Sequence, residues 1–284
     1  MISHSSDSTP PQNPFATEAF ARLWEGWHGR RVHHLEAGEY GVYFVSHRRG
    51  LARTLDALPF GIPAFVHDRD SGARTCIERF FALRSLRSTL SLFTRPTGWY
   101  AHVSWREQMR SVVTLAEGWP ERVDADVQRR SQRALRDGWE VRELEPGEWD
   151  LAQQALFETD RRHGADPRFD IAFFRRLHEL HLGREGLHLP AALRAGKLGA
   201  LHVILAAGGY EVSWFLLATD QARAEGVVPA LQLAWLEQCA ARQGKWADLG
   251  ASPSASVQRF KASFGATMIP YYSGTRRWAI LGRA

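Results

Sequence analysis

The chain has 284 residues, 44% of them apolar and 11 of them tryptophan, a composition that supports a substantial core and excludes wholesale disorder. A formal net charge of +5 admits acidic partners (nucleotide phosphates, RNA, a carboxylated substrate) without selecting among them, because arginines and carboxylates are mixed along the chain. Two distant cysteines, Cys76 and Cys239, argue against a disulfide framework and form no Cys-x-x-Cys zinc pair, and no apolar run is long enough to span a bilayer.

The first 14 residues are rich in Ser, Pro and Asn and lack the apolar centre of a signal peptide. They read as a disordered tail on a cytoplasmic protein. From Phe15 to Trp27 the apolar residues Phe15, Phe20, Leu23 and Trp24 recur at helical spacing. Tyr40 to Ser46 alternates like a strand. Leu58-Pro-Phe-Gly-Ile-Pro63 reads as a loop, since two prolines and a glycine deny it ladder bonds. A short strand is predicted over Ala64 to His67, a helix from about Ala73 to Leu86, and strands over Thr89 to Thr94 and Tyr100 to Trp105. Arg106 to Glu117 reads as a helix or as an extension of the sheet edge. Glu121 to Asp137 is a charged helix with Gly138 as its C-cap.

The second half is sharper. Trp139 to Leu144 reads as a strand, and the domain change is placed near Gly138. Pro146 to His163 is predicted as one amphipathic helix with Trp149, Ala152, Leu156 and Phe157 inward. A second helix runs from Asp170 to Leu182. His188 to Arg194, Leu198 to Ala207 and Tyr210 to Ala218 form a three-stranded meander, turning at Ala195-Gly196-Lys197 and Gly208-Gly209. Pro229 opens a helix that Gly244 closes. Trp246 to Leu249 is a strand, a short helix holds Phe260 and Lys261, and Tyr271, Tyr272 and Trp278 to Leu281 finish the sheet. The first half repeats this order more loosely. The expected architecture is α/β (α+β): a tail over residues 1–14 and two domains, 15–138 and 139–284.

This order resembles the GNAT acyltransferase fold, and the residues resemble its FemAB-like branch and bacterial proteins with a BioF-like GNAT domain. Five segments carry the resemblance: Arg129-Arg130-Ser-Gln-Arg133-Ala134 running to Gly138; Arg161-Arg162-His163-Gly164 with Phe173-Phe174-x-x-Leu177; Gly199-Ala200-Leu-His-Val-Ile; Pro229-Ala-Leu-Gln-Leu-Ala-Trp235; and Asp248-Leu-Gly250-x-Ser252 with Phe260-Lys261-x-x-Phe264-Gly265. The resemblance implies tandem GNAT-like domains, each a mixed, mostly antiparallel sheet flanked by helices. The first of the two is degenerate. It implies transfer of an acyl or aminoacyl group from acyl-CoA or aminoacyl-tRNA to an amine of a small molecule or peptide, with Lys261 at the donor or near the reacting carbonyl. One departure concerns CoA. The phosphate loop expected before the central helix reads Arg223-Ala-Glu-Gly226-Val-Val-Pro229, with one glycine where two small residues are expected and a proline that removes a helix N–H. A non-catalytic ligand-binding protein on the same scaffold is the alternative.

Each candidate site residue carries two readings. Lys261, one of only three lysines with Lys197 and Lys245, either stabilises a tetrahedral oxyanion or is a solvated lysine. Phe260 contacts substrate or packs in the core. Asp248 and Ser252 line a pocket past a strand end, or Ser252 caps the following helix with Pro253 at its first position. Arg161 and His163 meet an anion, with His163 as general base, or complement a helix dipole. Trp214, with Tyr210 on the same strand, walls a pocket or fills the core. His178, His181 and His188 have spacing that invites zinc but no third ligand of the right kind, so no metal is expected. The arginines from Arg129 to Arg136 lie along tRNA or form a solvated, internally paired face. No nucleic-acid recognition signature accompanies them, so no dedicated DNA binding is expected. The chain also lacks a Gly-x-Ser-x-Gly elbow, a Walker loop and a His-Glu-x-x-His helix.

Overall fold

The computed structural model describes residues 17–49, 52–58, 63–65, 68–98, 100–116, 118–163, 169–181 and 186–277. The chain divides into two compact units, Met1–Met109 with Ile269–Ala284, and Arg110–Met268. Gly138, the expected domain change, lies inside the second of them. The predicted tail, the Pro59-Phe-Gly-Ile62 part of the loop and the closing Trp278 to Leu281 strand fall outside the described residues.

In the first unit, α1 (Glu18–Arg22) starts where the Thr17 hydroxyl accepts the Phe20 amide at 3.1 Å. It ends well before Trp27, because Gly26 and His28 turn to positive φ and break the ladder. β1 (Arg31–Ala37), β2 (Tyr40–Arg49) and β3 (Ala52–Ala57) form an antiparallel meander. α2 (Ser71–Ala82) comes next, then β4 (Arg87–Leu92), which pairs parallel with β3. α2 lays Ala73, Cys76, Ile77 and Phe80 on Val42, Phe44 and Leu55 to make the core of the unit. Of the strand predicted over Ala64 to His67, Phe65 makes one bridge to Leu92, and His67 is outside the described residues. β5 (Val103–Thr114) resolves the Arg106 to Glu117 ambiguity as strand.

In the second unit, α3 (Ala125–Arg136) starts later than predicted because Asp124 caps it, accepting the Asp126 amide at 2.8 Å. β6 (Glu140–Glu143) is short. The helix expected from Pro146 to His163 is a 3-10 stretch over Pro146–Ala152 that leads into α4 (Gln153–His163). That stretch winds at about three residues per turn and shifts the phase of α4 relative to one continuous α-helix. Leu156 and Thr159 face inward as a result, and Phe157, predicted inward, is 64% exposed. α5 (Ile171–His181), β7 (Leu187–His188), β8 (Pro190–Arg194), β9 (Lys197–Ala207) and β10 (Tyr210–Ala218) come next. Both predicted hairpin turns form: Ala195 and Gly196, then Gly208 and Gly209, take positive φ. α6 (Asp220–Ala224) leads into α7 (Val227–Ala241), which begins at Gly226, three residues ahead of Pro229. α7 ends in a Schellman arrangement: the Gln243 amide reaches Ala240 O and the Gly244 amide reaches Cys239 O, both at 2.9 Å. β11 (Trp246–Ala251) and α8 (Ala255–Ala262) come after it. β12 (Thr267–Arg277) then carries the chain back into the first unit, where it pairs antiparallel with β4.

The strand order is β1-β2-β3-β4-β12 in the first unit and β5-β11-β10-β9-β8-β6 in the second, with β7 on β9. Within each, one pair is parallel and the rest are antiparallel: β3 with β4, and β10 with β11. The sheets are thus mixed and mostly antiparallel, as the sequence implies. Ile204, Trp235, Leu236, Cys239, Ala247 and Phe264 form the main core of the second unit. Among the described residues no helix is long and apolar enough to cross a membrane.

Gly199 on β9 sits against the Trp139 indole, where an added Cβ would lie 2.3 Å from two ring carbons and 3.0 Å from Ala222 Cβ. The Gly199→Ala variant is expected to lose about 1–3 kcal/mol by overpacking, seen as a lower midpoint in urea unfolding. A wild-type midpoint would show that this contact yields.

Candidate active site

β10 and β11 pair only over Tyr210 to Val212 against Trp246 to Asp248. Past Val212 and Asp248 the two strands part. Both carry irregularities there: β10 gains Trp214 as an extra residue between Ser213 and Phe215, and β11 shifts register on β5 between Asp248 and Ala251. Gly250 sits in this gap with φ of 81°, a conformation glycine adopts freely, and a Cβ there would lie 3.5 Å from Ser213 O.

Asp248 organises the gap. It is fully buried and accepts from Arg110 Nε at 2.6 Å, from the Tyr210 hydroxyl, and from the Gly250 amide at 2.7 Å. Arg110, on β5, is 2% exposed. A buried charge is stable only when paired and hydrogen-bonded, and the carboxylate meets both conditions. Burial first, and then the neighbouring carboxylate, push the Tyr210 phenol well above its ordinary value, so it stays a donor.

Lys261, on α8, reaches back to the same gap. Its Nζ donates to Gly250 O at 2.9 Å and Ala251 O at 2.6 Å. An ammonium has three donors. These two carbonyls use two of them and fix the direction of the third. Burial lowers the Lys261 pKa to about 8, opposed by the Asp248 charge and assisted by Arg110. At neutral pH the amine is therefore still mostly a cation.

Beneath the gap, His202 on β9 is fully buried, with Nε2 2.6 Å from Ser213 Oγ and its ring edge-on to Trp235. Burial, then the Lys261 charge, lower the His202 pKa to about 3. A base so weak is mismatched to proton transfer near neutrality, so His202 serves to hold Ser213. Ser252 is buried and hydrogen-bonds Ser111 at 2.7 Å. It does not cap α8. Ser254 does, accepting the Val257 amide at 3.4 Å, which leaves Pro253 ahead of the helix.

The structure therefore brings Lys261, Asp248 and Ser252 to one place. The remaining candidates make other contacts. Phe260 packs edge-on against Phe264 in the core. Trp214 joins Phe169, Phe173 and Phe215 in an aromatic cluster. Arg161 and Arg162 both pair with Asp220, and His163 is exposed at the end of α4. No hydrogen bond, ion pair or ring contact among the described residues joins Arg161 or His163 to Lys261. His178 accepts from Trp149 Nε1 at 3.0 Å, and His188 lies 4.0 Å from Glu211. The His181 side chain is outside the described residues. No group of metal-ligating side chains occurs among the described residues. On α3, Arg129 and Arg130 pair with Asp126, and Arg133 with Asp137. Sequence reasoning missed Arg110 and His202. Arg110 sits in no motif, His202 lies unremarked within the Gly199-Ala200-Leu-His-Val-Ile segment, and each acquires its role from a strand partner.

The start of α7, where the sequence places a phosphate loop, is a poor fit to acyl-CoA. Val227, Val228 and Pro229, the first turn of α7, are buried, and the position of Gly226 is overlaid by Arg130, whose Cβ is 3.5 Å from where a side chain would begin. Glu225 before it is held by Trp139 and Arg194. This surface is closed and carries a carboxylate, both unfavourable to a pyrophosphate.

The family described as acetyltransferase (GNAT) domain matches residues 122–262. No curated protein matches the chain by sequence. Among solved structures, FemX superposes with a TM-score of 0.68 at 8% identity, covering 93% of each chain. L-PGS from Bacillus licheniformis gives 0.55 at 10% identity, covering 88% of this chain and 85% of its own. A tandem GNAT protein from the clavulanic acid biosynthesis pathway gives 0.53 at 13% identity, covering 90% of this chain and 84% of its own.

Two outcomes are expected. Asp248→Asn leaves Arg110 as a buried charge without its counter-charge and is expected to cost about 3–5 kcal/mol, whereas Asp220→Asn, in an exposed pair, should shift the urea midpoint far less. Equal shifts would contradict the burial argument. For His202 the folded value of about 3 lies below the ordinary 6.5, so the unfolded chain binds the extra proton first. Stability should then fall as pH drops from about 6.5 towards 3, and His202→Asn should flatten that part of the stability profile.

Proposed function

We propose, for a chain whose residues 122–262 match the acetyltransferase (GNAT) domain family, an N-acyltransferase that moves an acyl or aminoacyl group from an activated donor to an amine, with the reacting carbonyl at the parting of β10 and β11. The observation that carries this reading is Lys261, whose Nζ is fixed by Gly250 O and Ala251 O.

The neutral amine nitrogen attacks the acyl carbon and the carbonyl oxygen takes up negative charge; the carbonyl then re-forms as the donor's ester or thioester bond breaks, its electron pair leaving on the oxygen or sulfur, which takes up the proton the amine loses. A donor held in place before the reaction stabilises that oxygen at no reorganisation cost. The third N–H of Lys261 is such a donor. Gly250 leaves room beside it, and Asp248, through the Gly250 amide and the Arg110 pair, keeps the turn that holds both carbonyls. Ser252 and Ser111 tie the end of β11 to β5, so the carbonyl of Ala251 stays in place. Arg110, Asp248, Tyr210 and Ser252 are positioning residues in this reading, and Lys261 is the one that touches the reacting group.

GNAT domains in general use acyl-CoA. The closed first turn of α7 weighs against a pyrophosphate seated there, and supports a donor carried on another group, such as an aminoacyl ester of tRNA. The acceptor is an amine of a small molecule or a peptide.

The test pairs acyl-CoA thioesters and aminoacyl-tRNA with a panel of amines, reading product mass. In the pair that reacts, Lys261→Ala should lower kcat by roughly 10²–10³ with a smaller change in KM, and Lys261→Arg should retain part of the rate. Unchanged kcat in Lys261→Ala removes the assigned role. Because the cation is the working form, the rate should fall as pH rises through about 8, and Lys261→Arg should move that limb upward. The stability sign is opposite: the folded amine titrates below its ordinary value, so between about pH 8 and 10.5 this group's contribution to stability rises with pH.

A further inference from the structure

In the first unit, strand alternation places Arg31, His33, Leu35 and Ala37 of β1 on one face with Val42, Phe44, Ser46 and Arg48 of β2 and with Arg53, Leu55 and Ala57 of β3. At one end this face is apolar and covered by α2. At the other end it turns to arginine, histidine and serine. The change is abrupt: His33 stands opposite Phe44, Arg31 opposite Ser46, and Arg48 opposite Arg53. Arg31, His33, Ser46, Arg48 and Arg53 with Gly29 line a cavity of about 400 Å³.

No carboxylate lines this cavity. Arg31 and Arg48 have no ion-pair partner among the described residues. Among the described residues the Arg53 side chain donates to His33 Nε2, at 3.3 Å, and the same nitrogen lies 2.8 Å from the buried Ser46 hydroxyl. Burial, then Arg53, hold His33 below its ordinary value, so it is neutral and accepts. Glu25 accepts the Val32 amide at 2.7 Å and its charge reaches His33, opposing the effect of Arg53, while Asp56, on the opposite face of β3, pairs with Arg87. Two arginines directly opposite each other on adjacent strands repel. A bound anion reverses that repulsion, and guanidinium forks match phosphate oxygens two at a time.

We propose that Arg31, Arg48 and Arg53 form a binding site for the diphosphate group of a small ligand. Three cations around one bounded concavity suit a compact, multiply charged group. An extended nucleic-acid backbone would need a charged track along the surface. The proposal does not rest on the transfer chemistry, and it is tested by binding alone.

Pyrophosphate titrated into the full-length protein at constant ionic strength, monitored by calorimetry, should bind saturably with one site per chain. Arg53→Gln and, separately, the exposed Arg48→Gln should each weaken it by about tenfold or more, the loss expected for one charged hydrogen-bonding partner. Without ligand, both variants should unfold at an equal or higher urea midpoint, since the opposed pair is gone. Absence of binding to wild type, or unchanged affinity in both variants, overturns the proposal. So does a short RNA oligonucleotide that binds through Arg48 and Arg53 when pyrophosphate does not.

Discussion

The bond between Arg110 and Asp248 is the constraint on which the geometry of the second unit rests. Two full charges removed from water would be costly singly, and their pairing is acceptable because the remaining lone pairs of the carboxylate are also used. That single carboxylate joins three strands: β5 through arginine, β10 through the tyrosine, and its own β11 through the glycine turn. It therefore sets where β10 and β11 stop pairing, how Gly250 presents its carbonyl, and where Lys261 is anchored. The ammonium and the carboxylate lie on either side of the same turn.

Much of the architecture can be read without coordinates. The Ala195-Gly196 and Gly208-Gly209 turns, the meander between them and the helix after Gly226 are local features whose residue types meet local backbone demands. So is the strand that opens at Trp246. The features that escape are non-local. Arg110 looks like any strand arginine until its partner, 138 residues away, is brought beside it. His202 lies within a segment that the family resemblance does identify, yet its role comes from Ser213 on the next strand. Phe157 fails for a different reason: a change of helical winding just upstream rotates its face, and apolar spacing alone does not register that. Ser252 and Ser254 compete in the sequence to cap α8, and only the burial of Ser252 against Ser111 decides between them.

The two units use strand alternation to different ends. In the second, nearly every residue of β9 is buried, so its one histidine is locked into the interior as a neutral hydrogen-bonding group. In the first, the meander changes character part-way along a single face, from aliphatic to cationic. A sheet face that stops being apolar before its strands end has side chains selected for something other than packing.

The distance in sequence between Arg110 and Asp248 also has a temporal meaning. On a ribosome adding about 5–20 residues per second, roughly 7–28 s separate the emergence of the arginine from that of its counter-ion. Through that interval β11, which pairs with β5 in this unit, is not yet complete, and the Arg110 guanidinium has to remain hydrated. The hairpins of β8, β9 and β10 can close meanwhile, since their contacts are near neighbours along the chain. Completion of the second unit is therefore a late event in the life of the nascent polypeptide, and the charged strand acts as a latch held open until translation has passed the segment that closes it.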